Sequence, residues 1–341
     1  MARVRVAING LGRIGRAFLK LAIKHPELEI VAVNDLGDVD NLAYLLKYDS
    51  AYGHSGLEIK VEDGVLVING QSIKFLQEKE PVNLPWGDLG VKVVVEATGF
   101  FETYAKAKGH LEAGAGRVVV TAPIKGEPVP GVVGATVLMG INEEALATCQ
   151  ISSNASCTTN SASPVIQIMQ ESVGVEKAVL NTVHAYTATQ SIVDSPDKKG
   201  DYRRGRAAAA NIIPSTTGAA IAVTEAIPSL KDLFDGIALR VPVLTGSIAD
   251  ITFISKRFTS VEEVNKILLE AAQLPRWQKV FSVTDEPLVS SDIVGSPFAS
   301  LVDLSMTKVV GGNLVKILAW YDNEMGYTNA LVEHVLKAGL R

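Results

Sequence analysis

The run Val4-Arg5-Val6-Ala7-Ile8, followed by Asn9-Gly10-Leu11-Gly12-Arg13-Ile14-Gly15, constrains the fold more than anything else in the chain. A short β-type run leads into three glycines spaced G-x-G-x-x-G, and a helical stretch, Ile14–Lys24, follows. Gly10 permits a tight turn, Gly12 leaves the backbone open to a pyrophosphate, and Gly15 lets helix and strand pack closely. The N-terminal end of that helix is positive and suits such an anion. Asp35 stands 20 residues beyond Gly15, at the end of the next β-type run, Ile30–Asn34. A carboxylate there can accept hydrogen bonds from ribose hydroxyls and repel a 2′-phosphate. Bare, the glycines would be a ligand-free turn; in this context they read as a dinucleotide site for NAD rather than NADP.

The alternation continues through a short helix at Asp40–Leu46, a strand at Val91–Glu96, a helix at Thr103–Ala113 and a strand at Arg117–Thr121, with a loop from Gly126 to Gly134. Continuous apolar runs between helices predict a parallel sheet buried on both faces. The second half has a different pattern. Long β-type runs at Ala178–His184, Ile237–Val241, Asp250–Ile254, Thr307–Val310 and Leu314–Trp320 outnumber the helices at Ser163–Gln170 and Val261–Ala272. The fold class is therefore α/β: an N-terminal Rossmann-like, doubly wound parallel sheet plus a C-terminal α+β domain with a mixed or antiparallel sheet. The boundary is expected near Asn154, giving a dinucleotide domain over residues 1–154 and a catalytic domain over 155–323. A last helix, about 324–341 with its core at Asn329–Leu340, is expected to pack back on the first domain.

Hydrophobic residues make up 47% of the 341 positions and charged ones 20%, as in ordinary globular proteins. The net charge of −5 gives no reason to expect nucleic acid or a membrane surface as partner, and no apolar run reaches the length of a membrane span. The start of the chain goes directly into a strand pattern, so no signal peptide is expected. Two cysteines, Cys149 and Cys157, make no disulfide framework and fit a reducing cytoplasm. No metal site is expected.

Cys157 lies in Ser153-Asn154-Ala155-Ser156-Cys157-Thr158-Thr159-Asn160, which joins a short strand to a helix. A thiol that opens a helix feels its dipole, and a pKa lowered from about 8.5 to about 6 would make it mostly thiolate at neutral pH. Cys149, in an ordinary strand lead-in, fits a buried structural thiol better. A base is needed beside Cys157. Of five histidines, His25, His54, His110 and His334 lie in polar, helical or turn contexts and read as surface residues. His184 ends the strand Ala178–Val183 and is the candidate proton acceptor. Glu96-Ala97-Thr98-Gly99 ends a strand of the first sheet, where a loop faces the cofactor crevice.

These segments, with Arg203–Asn211, Ser215–Ala219, Arg240–Ser247 and Trp320–Tyr327, make the chain resemble the phosphorylating glyceraldehyde-3-phosphate dehydrogenase family over essentially its whole length. The stretch around Cys157 is the most specific. The resemblance implies Cys157 as nucleophile and His184 as its base. It implies that Arg13, Ile14, Asp35, Lys79, Thr98 and Thr121 line the NAD site with the glycines, and that Asn323 holds the nicotinamide carboxamide. Thr187 and Arg240 would bind the phosphate of glyceraldehyde 3-phosphate. Ser156, Thr158, Thr217, Gly218 and Arg204, with Arg203 as the alternative to Arg204, would bind inorganic phosphate. The loop from about Leu180 to Ala210 resembles the family segment near a neighbouring subunit's cofactor, and the family is a homotetramer. The chain departs from the family pattern in a slightly long Ile124–Leu138 and in Met325, where tryptophan is frequent. Two other readings are weighed: an erythrose-4-phosphate dehydrogenase, and a non-catalytic NAD-binding redox sensor or RNA-binding module. The Ser215-Thr216-Thr217-Gly218 motif favours the triose phosphate, and a sensor would have no use for His184 and the phosphate donors.

Overall fold

The computed structural model describes residues 3–197 and 200–341. Met1 and Ala2, which enter the reading of the chain's start, lie outside the described residues, as do Lys198 and Lys199 of the long loop. The chain divides into two compact units, Met1–Ala155 with Leu331–Arg341, and Ser156–Ala330.

The first unit runs β1 (Val4–Asn9), α1 (Arg13–Ala22), β2 (Leu28–Asn34), α2 (Val39–Lys47), β3 (Tyr48–Asp49), β4 (Gly53–His54), β5 (Ile59–Glu62), β6 (Val65–Ile68), β7 (Gln71–Leu76), β8 (Val93–Glu96), α3 (Tyr104–Glu112), β9 (Arg117–Val120), β10 (Gly134–Thr136) and β11 (Ile151–Ser153). Among the described residues nine of these strands form one sheet, in the order β10-β11-β9-β8-β1-β2-β7-β6-β5. Every pairing from β10 to β7 is parallel. This is the doubly wound sheet expected, and the buried Val6, Ile8, Val93, Val94 and Val95 show why its strands read as continuous apolar runs.

The antiparallel meander β5–β7 at the sheet's edge is absent from the sequence reading. Its turns are Asp63-Gly64 and Asn69-Gly70, with φ of 49° and 75°, then 50° and 79°. Two consecutive left-handed residues match the strands' own twist, so Asp-Gly and Asn-Gly are the strongest short-range hairpin signal.

The second unit runs α4 (Cys157–Ser172), β12 (Val175–Ala185), β13 (Ile213–Thr216), α5 (Ala219–Ala226), β14 (Phe234–Val241), β15 (Ser247–Ser255), α6 (Val261–Ala272), β16 (Phe281–Thr284), β17 (Ser300–Val310) and β18 (Leu314–Tyr321). The division between units falls inside α7 (Met325–Gly339). The sheet order is β13-β14-β12-β15-β18-β17-β16. It is mixed: β12/β14 and β16/β17 are parallel, the other pairs antiparallel. The strand expected at Ala178–His184 is β12, so the long loop begins after Ala185 and not at about Leu180.

Two of the histidines expected at the surface are fully buried. His110, on α3, and His334, on α7, each have 0% exposure. Helical context suggested solvent, but both rings find polar partners inside. His334 joins Ser152 Oγ at 2.8 Å and Asn154 Oδ1 at 3.0 Å, and His110 joins Trp86 and Glu96.

Candidate functional site

In the first unit the glycine loop borders a cleft of about 550 Å³. Gly10, with φ of 95°, runs so close to the end of β8 that a Cβ would meet Ala97 C and Thr98 N at 2.8 Å. A Cβ on Gly15 would come within 2.0 Å of the Gly10 carbonyl oxygen. A Cβ on Gly12 meets nothing within 4 Å, so its backbone faces open space. One glycine serves the turn, one the helix packing, and one leaves room for a ligand backbone. Asp35 is held at the cleft by its neighbours' N–H groups. Leu11 N donates to Oδ2 at 2.6 Å and Gly37 N to Oδ1 at 2.8 Å. This donor and acceptor set fits a dinucleotide: open backbone at a helix start, then a fixed carboxylate.

Gly10, Gly12, Asp35, Lys79 and Thr98 line this cleft together. Arg13, Ile14, Gly15 and Thr121 do not. Arg13 turns to Asp49, 3.0 Å away, and Thr121 donates its N–H to the Glu96 carbonyl at 3.0 Å. Sequence reasoning missed Asn9, Asn34, Glu78, Glu80, Phe100, Phe101 and Lys106 in the lining. A signal existed for two of them, since Asn9 and Asn34 are polar residues that close apolar runs.

The second unit holds the thiol. Ala155 adopts φ of 53°, a left-handed conformation that costs a non-glycine residue about 1–2 kcal/mol. It turns the chain so that α4 starts at once. Ser156 is the N-cap, accepting the Thr159 N–H at 3.0 Å, and Cys157 is the first helical residue. Cys157 Sγ lies 3.3 Å from His184 Nε2. The β12/β14 register sets Arg240 opposite His184, and Arg240 Nη1 comes 2.7 Å from His184 Nδ1 and 3.2 Å from the Ala185 carbonyl. That carbonyl is also 2.6 Å from Nδ1. The Tyr321 ring meets that of His184 nearly at right angles, centroids 5.9 Å apart. Its hydroxyl joins Thr158 Oγ1 at 2.9 Å and Thr182 Oγ1 at 2.7 Å.

Burial pushes the Cys157 thiol up, although Arg240 and the Thr158 hydrogen bonds pull the other way. Burial, then the Arg240 charge, lowers His184 to about 3. Burial also raises the Tyr321 phenol and lowers Arg240. The helix start is legible in the sequence; the groups packed around the half-buried sulfur, which oppose its effect, are not.

The anion donors named from the sequence fall into two groups. Arg240 and Arg204 feel each other's charge, and Arg204 reaches Ser215 Oγ at 3.0 Å and Asp201 at 3.2 Å. Arg203, the alternative, is exposed. Thr217 and Gly218 lie at the start of α5, where Thr217 Oγ1 caps the Ala219 N–H at 3.1 Å. Thr187 hydrogen-bonds Thr189, hydroxyl to hydroxyl, at 2.9 Å. Ser156 and Thr158 flank Cys157, but their hydroxyls are engaged, Ser156 with Thr159 at 2.7 Å and Thr158 with Tyr321. Asn323 Oδ1 accepts from Ser247 Oγ at 2.9 Å and Gly246 N at 3.2 Å, while Thr245 Oγ1 gives its proton to Asp322 Oδ1 at 3.0 Å. Two donors on the oxygen fix the amide's orientation and leave its NH₂ as a donor. Among the described residues no cluster of His, Cys, Asp and Glu could hold a metal ion.

Comparison with known proteins agrees with this geometry. Residues 4–104 match the glyceraldehyde 3-phosphate dehydrogenase NAD binding domain, and residues 156–323 match the C-terminal domain of the same family. A glyceraldehyde-3-phosphate dehydrogenase of Clostridium acetobutylicum is 46% identical over 332 residues, 96% of each chain. One from Streptomyces arenae is 47% identical over 97% of each chain, and one from Bacillus subtilis 44% over 99%. The chain belongs to the glyceraldehyde-3-phosphate dehydrogenase family of NAD-dependent oxidoreductases.

Proposed function

We propose that the chain oxidises glyceraldehyde 3-phosphate with NAD and inorganic phosphate to 1,3-bisphosphoglycerate, through a thioester on Cys157. The observation that carries this reading is the 3.3 Å approach of Cys157 Sγ to His184 Nε2 at the start of α4. The sulfur adds to the aldehyde carbon while its proton passes to the carbonyl oxygen, giving a hemithioacetal. His184, neutral because its pKa is depressed to about 3, takes the hydroxyl proton as hydride leaves the carbon. Bound NAD supplies the hydride acceptor. Inorganic phosphate then attacks the thioester, the acyl phosphate departs, and the sulfur recovers its proton from His184. Arg240 and Thr187 are the donors for the substrate's phosphate. Arg204, Thr217 and Gly218 are those for the attacking one, with Ser156 and Thr158 at the rim of the sulfur. An arginine's planar fork suits a phosphate better than a lysine's point charge does.

The test is rapid mixing with excess aldehyde and NAD. Without phosphate, NADH should appear as a burst of at most one equivalent per chain and then very slowly. Phosphate, or arsenate in its place, should restore rapid turnover. Fast, steady NADH formation without either anion would mean hydrolysis of the thioester and would overturn the product assignment.

The chain is further proposed to act as a homotetramer in the cytoplasm. The sheet of the second unit leaves Val179, at 57%, and Ile237, at 54%, exposed on its open face, and Ile192 and Tyr202 are 89% and 90% exposed on the long loop. Apolar groups so placed favour burial against copies of the same chain. Both cysteines are free. Light scattering coupled to gel filtration should give four chains per particle.

A further inference from the structure

Across the carboxyl end of the parallel sheet in the first unit, three adjacent strands end in polar residues at paired positions. Asn9 on β1 is the register partner of both Glu96 on β8 and Asn34 on β2. All three are buried, at 2%, 2% and 4% exposure, and each closes an apolar run. Polar groups cost free energy to bury unless hydrogen-bonded, so such a row needs an account of its partners.

The account closes on Glu96. Its Oε2 accepts from Asn9 Nδ2 at 2.6 Å and from His110 Nε2 at 3.0 Å. Its Oε1 accepts the Thr98 backbone N–H at 2.8 Å and the Thr98 hydroxyl. The His110 tautomer is determined by its other side: Trp86 Nε1 donates to Nδ1 at 3.0 Å, so the ring's proton sits on Nε2 and points at Glu96. Asn34 Nδ2 donates to Asn9 Oδ1 at 2.7 Å and to the Glu78 carbonyl at 2.8 Å, and Glu78 N donates to Asn34 Oδ1 at 2.8 Å. Each of these bonds has one direction, set by Trp86 for the imidazole, by the Glu78 backbone for Asn34 and by the carboxylate for Asn9 and Thr98; the 3.4 Å approach of Asn9 Nδ2 to His110 Nε2 sets two donors side by side, both aimed at Glu96.

Asn9, Asn34, Glu78 and Thr98 line the dinucleotide cleft; Trp86, His110 and Glu96 lie behind it. We propose that Glu96 and His110 are positioning residues for the bound dinucleotide, orienting through Asn9, Asn34 and Thr98 the polar floor of its cleft. The proposal rests on the cleft being the NAD site. Ligands of open parallel sheets bind outside the strands' carboxyl ends, and a ligand gains affinity where the groups it meets are oriented before it arrives. A plain core stitch would need neither a carboxylate with four donors nor a histidine held in one tautomer.

Glu96→Gln tests this with almost no change of shape. Whichever way the amide turns, its NH₂ meets two donors, and either Asn9 or Thr98 must rotate. NAD affinity is measured by calorimetry on the full chain with neither aldehyde nor phosphate present, beside steady-state kinetics. The Kd and KM for NAD should rise about ten-fold, the size expected for one misoriented buried hydrogen bond, while kcat at saturating NAD stays within about two-fold of wild type. His110→Phe, which removes the Nε2 donor, should raise Kd in the same way. His110→Gln, which can both accept from Trp86 and donate to Glu96, should restore most of the affinity. Folded Glu96→Gln and His110→Phe chains with lowered melting temperatures but wild-type NAD affinity would overturn the proposal and leave the network a structural stitch. Should Glu96→Gln fail to fold, the two His110 variants decide: equal affinities in both refute it. Asp35→Ala separates the two levels, because unchanged NAD affinity there would show that the cleft itself had been wrongly assigned.

Discussion

The cleft of the first unit and the thiol pocket of the second solve opposite problems. Around Glu96 every polar hydrogen has a direction, and the donors that reach the cleft are satisfied before a ligand comes. Around Cys157 the groups are driven away from their charged forms, the thiol upward and the imidazole down to about 3. One contact is even contested: His184 Nδ1 lies within hydrogen-bond reach of a guanidinium, which only donates, and of the Ala185 carbonyl, which only accepts. A binding surface gains from groups that are already oriented. A reacting centre gains from groups that become charged only as bonds change, since charge formed inside a dry pocket is strongly stabilised by donors already in place. A substrate phosphate that drew Arg240 toward itself would leave Nδ1 to hold a proton against Ala185 and turn the Nε2 lone pair toward the reacting atoms.

The sharpest way to break this comparison is at the sulfur. Cys157→Ser should leave less than about 1% of turnover, because an unactivated hydroxyl is a far poorer nucleophile. NAD affinity should be unchanged, since the glycine loop and Asp35 are untouched. Clearly higher residual turnover would remove Cys157 from the chemistry. Arg240→Leu comes next. Losing a charge-assisted bond should cost about ten- to hundred-fold in kcat/KM for glyceraldehyde 3-phosphate. Unphosphorylated glyceraldehyde should lose much less, because it offers no phosphate and the variant also frees His184 Nδ1. Equal losses on both aldehydes would make Arg240 a structural residue.

What could be read from the sequence followed from how local each signal is. The strand–glycine–helix pattern and Asp35 lie within one short segment, and the parallel sheet followed from them. The β5–β7 meander is equally local, its two turns marked by Asp63-Gly64 and Asn69-Gly70. Helix α5 was hidden because Ala219–Ala226 is apolar on nearly every side and carries no periodicity. Cys157 was legible because a helix-opening cysteine among hydroxyls is unusual. The burial of His110 was not, since it depends on Trp86 and Glu96, which reach the ring only through the sheet. The same holds for the contact of Arg240 with His184, 56 residues apart and brought together by strand register alone. The groups that act on the thiol are non-local too: a helix start is written in the sequence, and the approach of Arg240 to the sulfur is not.

A smaller effect probes the cleft side. The Asp35 carboxylate is fixed by Leu11 N and Gly37 N, and the adjoining Leu36 is 61% exposed and offers no donor. A 2′-phosphate would meet the fixed Asp35 carboxylate, with no donor from the adjoining Leu36 side chain. The chain should therefore prefer NAD to NADP by about ten-fold or more in kcat/KM, and Asp35→Ala should narrow the ratio. A higher kcat/KM with NADP would overturn the role given to Asp35.

The smallest expected effect asks whether enforced neutrality belongs to the reacting site or to burial alone. His334, which is given no part in the chemistry, is also lowered to about 3, by burial. Its Nδ1 faces Asn154 Oδ1 at 3.0 Å and its Nε2 faces Ser152 Oγ at 2.8 Å, so Nδ1 carries the proton and Nε2 accepts from the hydroxyl. An unfolded histidine titrates near 6.5. With the folded value depressed below the unfolded one, the unfolded chain takes up the proton first. The stabilisation is complete above about pH 6.5 and is lost as pH falls from there toward about 3. His184 contributes in the same sense, over the same window. The melting temperature should thus drop between pH 6.5 and 4. His334→Gln, whose amide can donate to Asn154 and accept from Ser152, should flatten that drop by a few degrees while leaving turnover at pH 7.5 near wild type. The comparison is the difference in melting temperature between pH 7 and pH 5 for the two chains, followed by circular dichroism. Identical differences would mean that His334 takes up no proton on unfolding in this range, and that the acid sensitivity belongs to the thiol pocket.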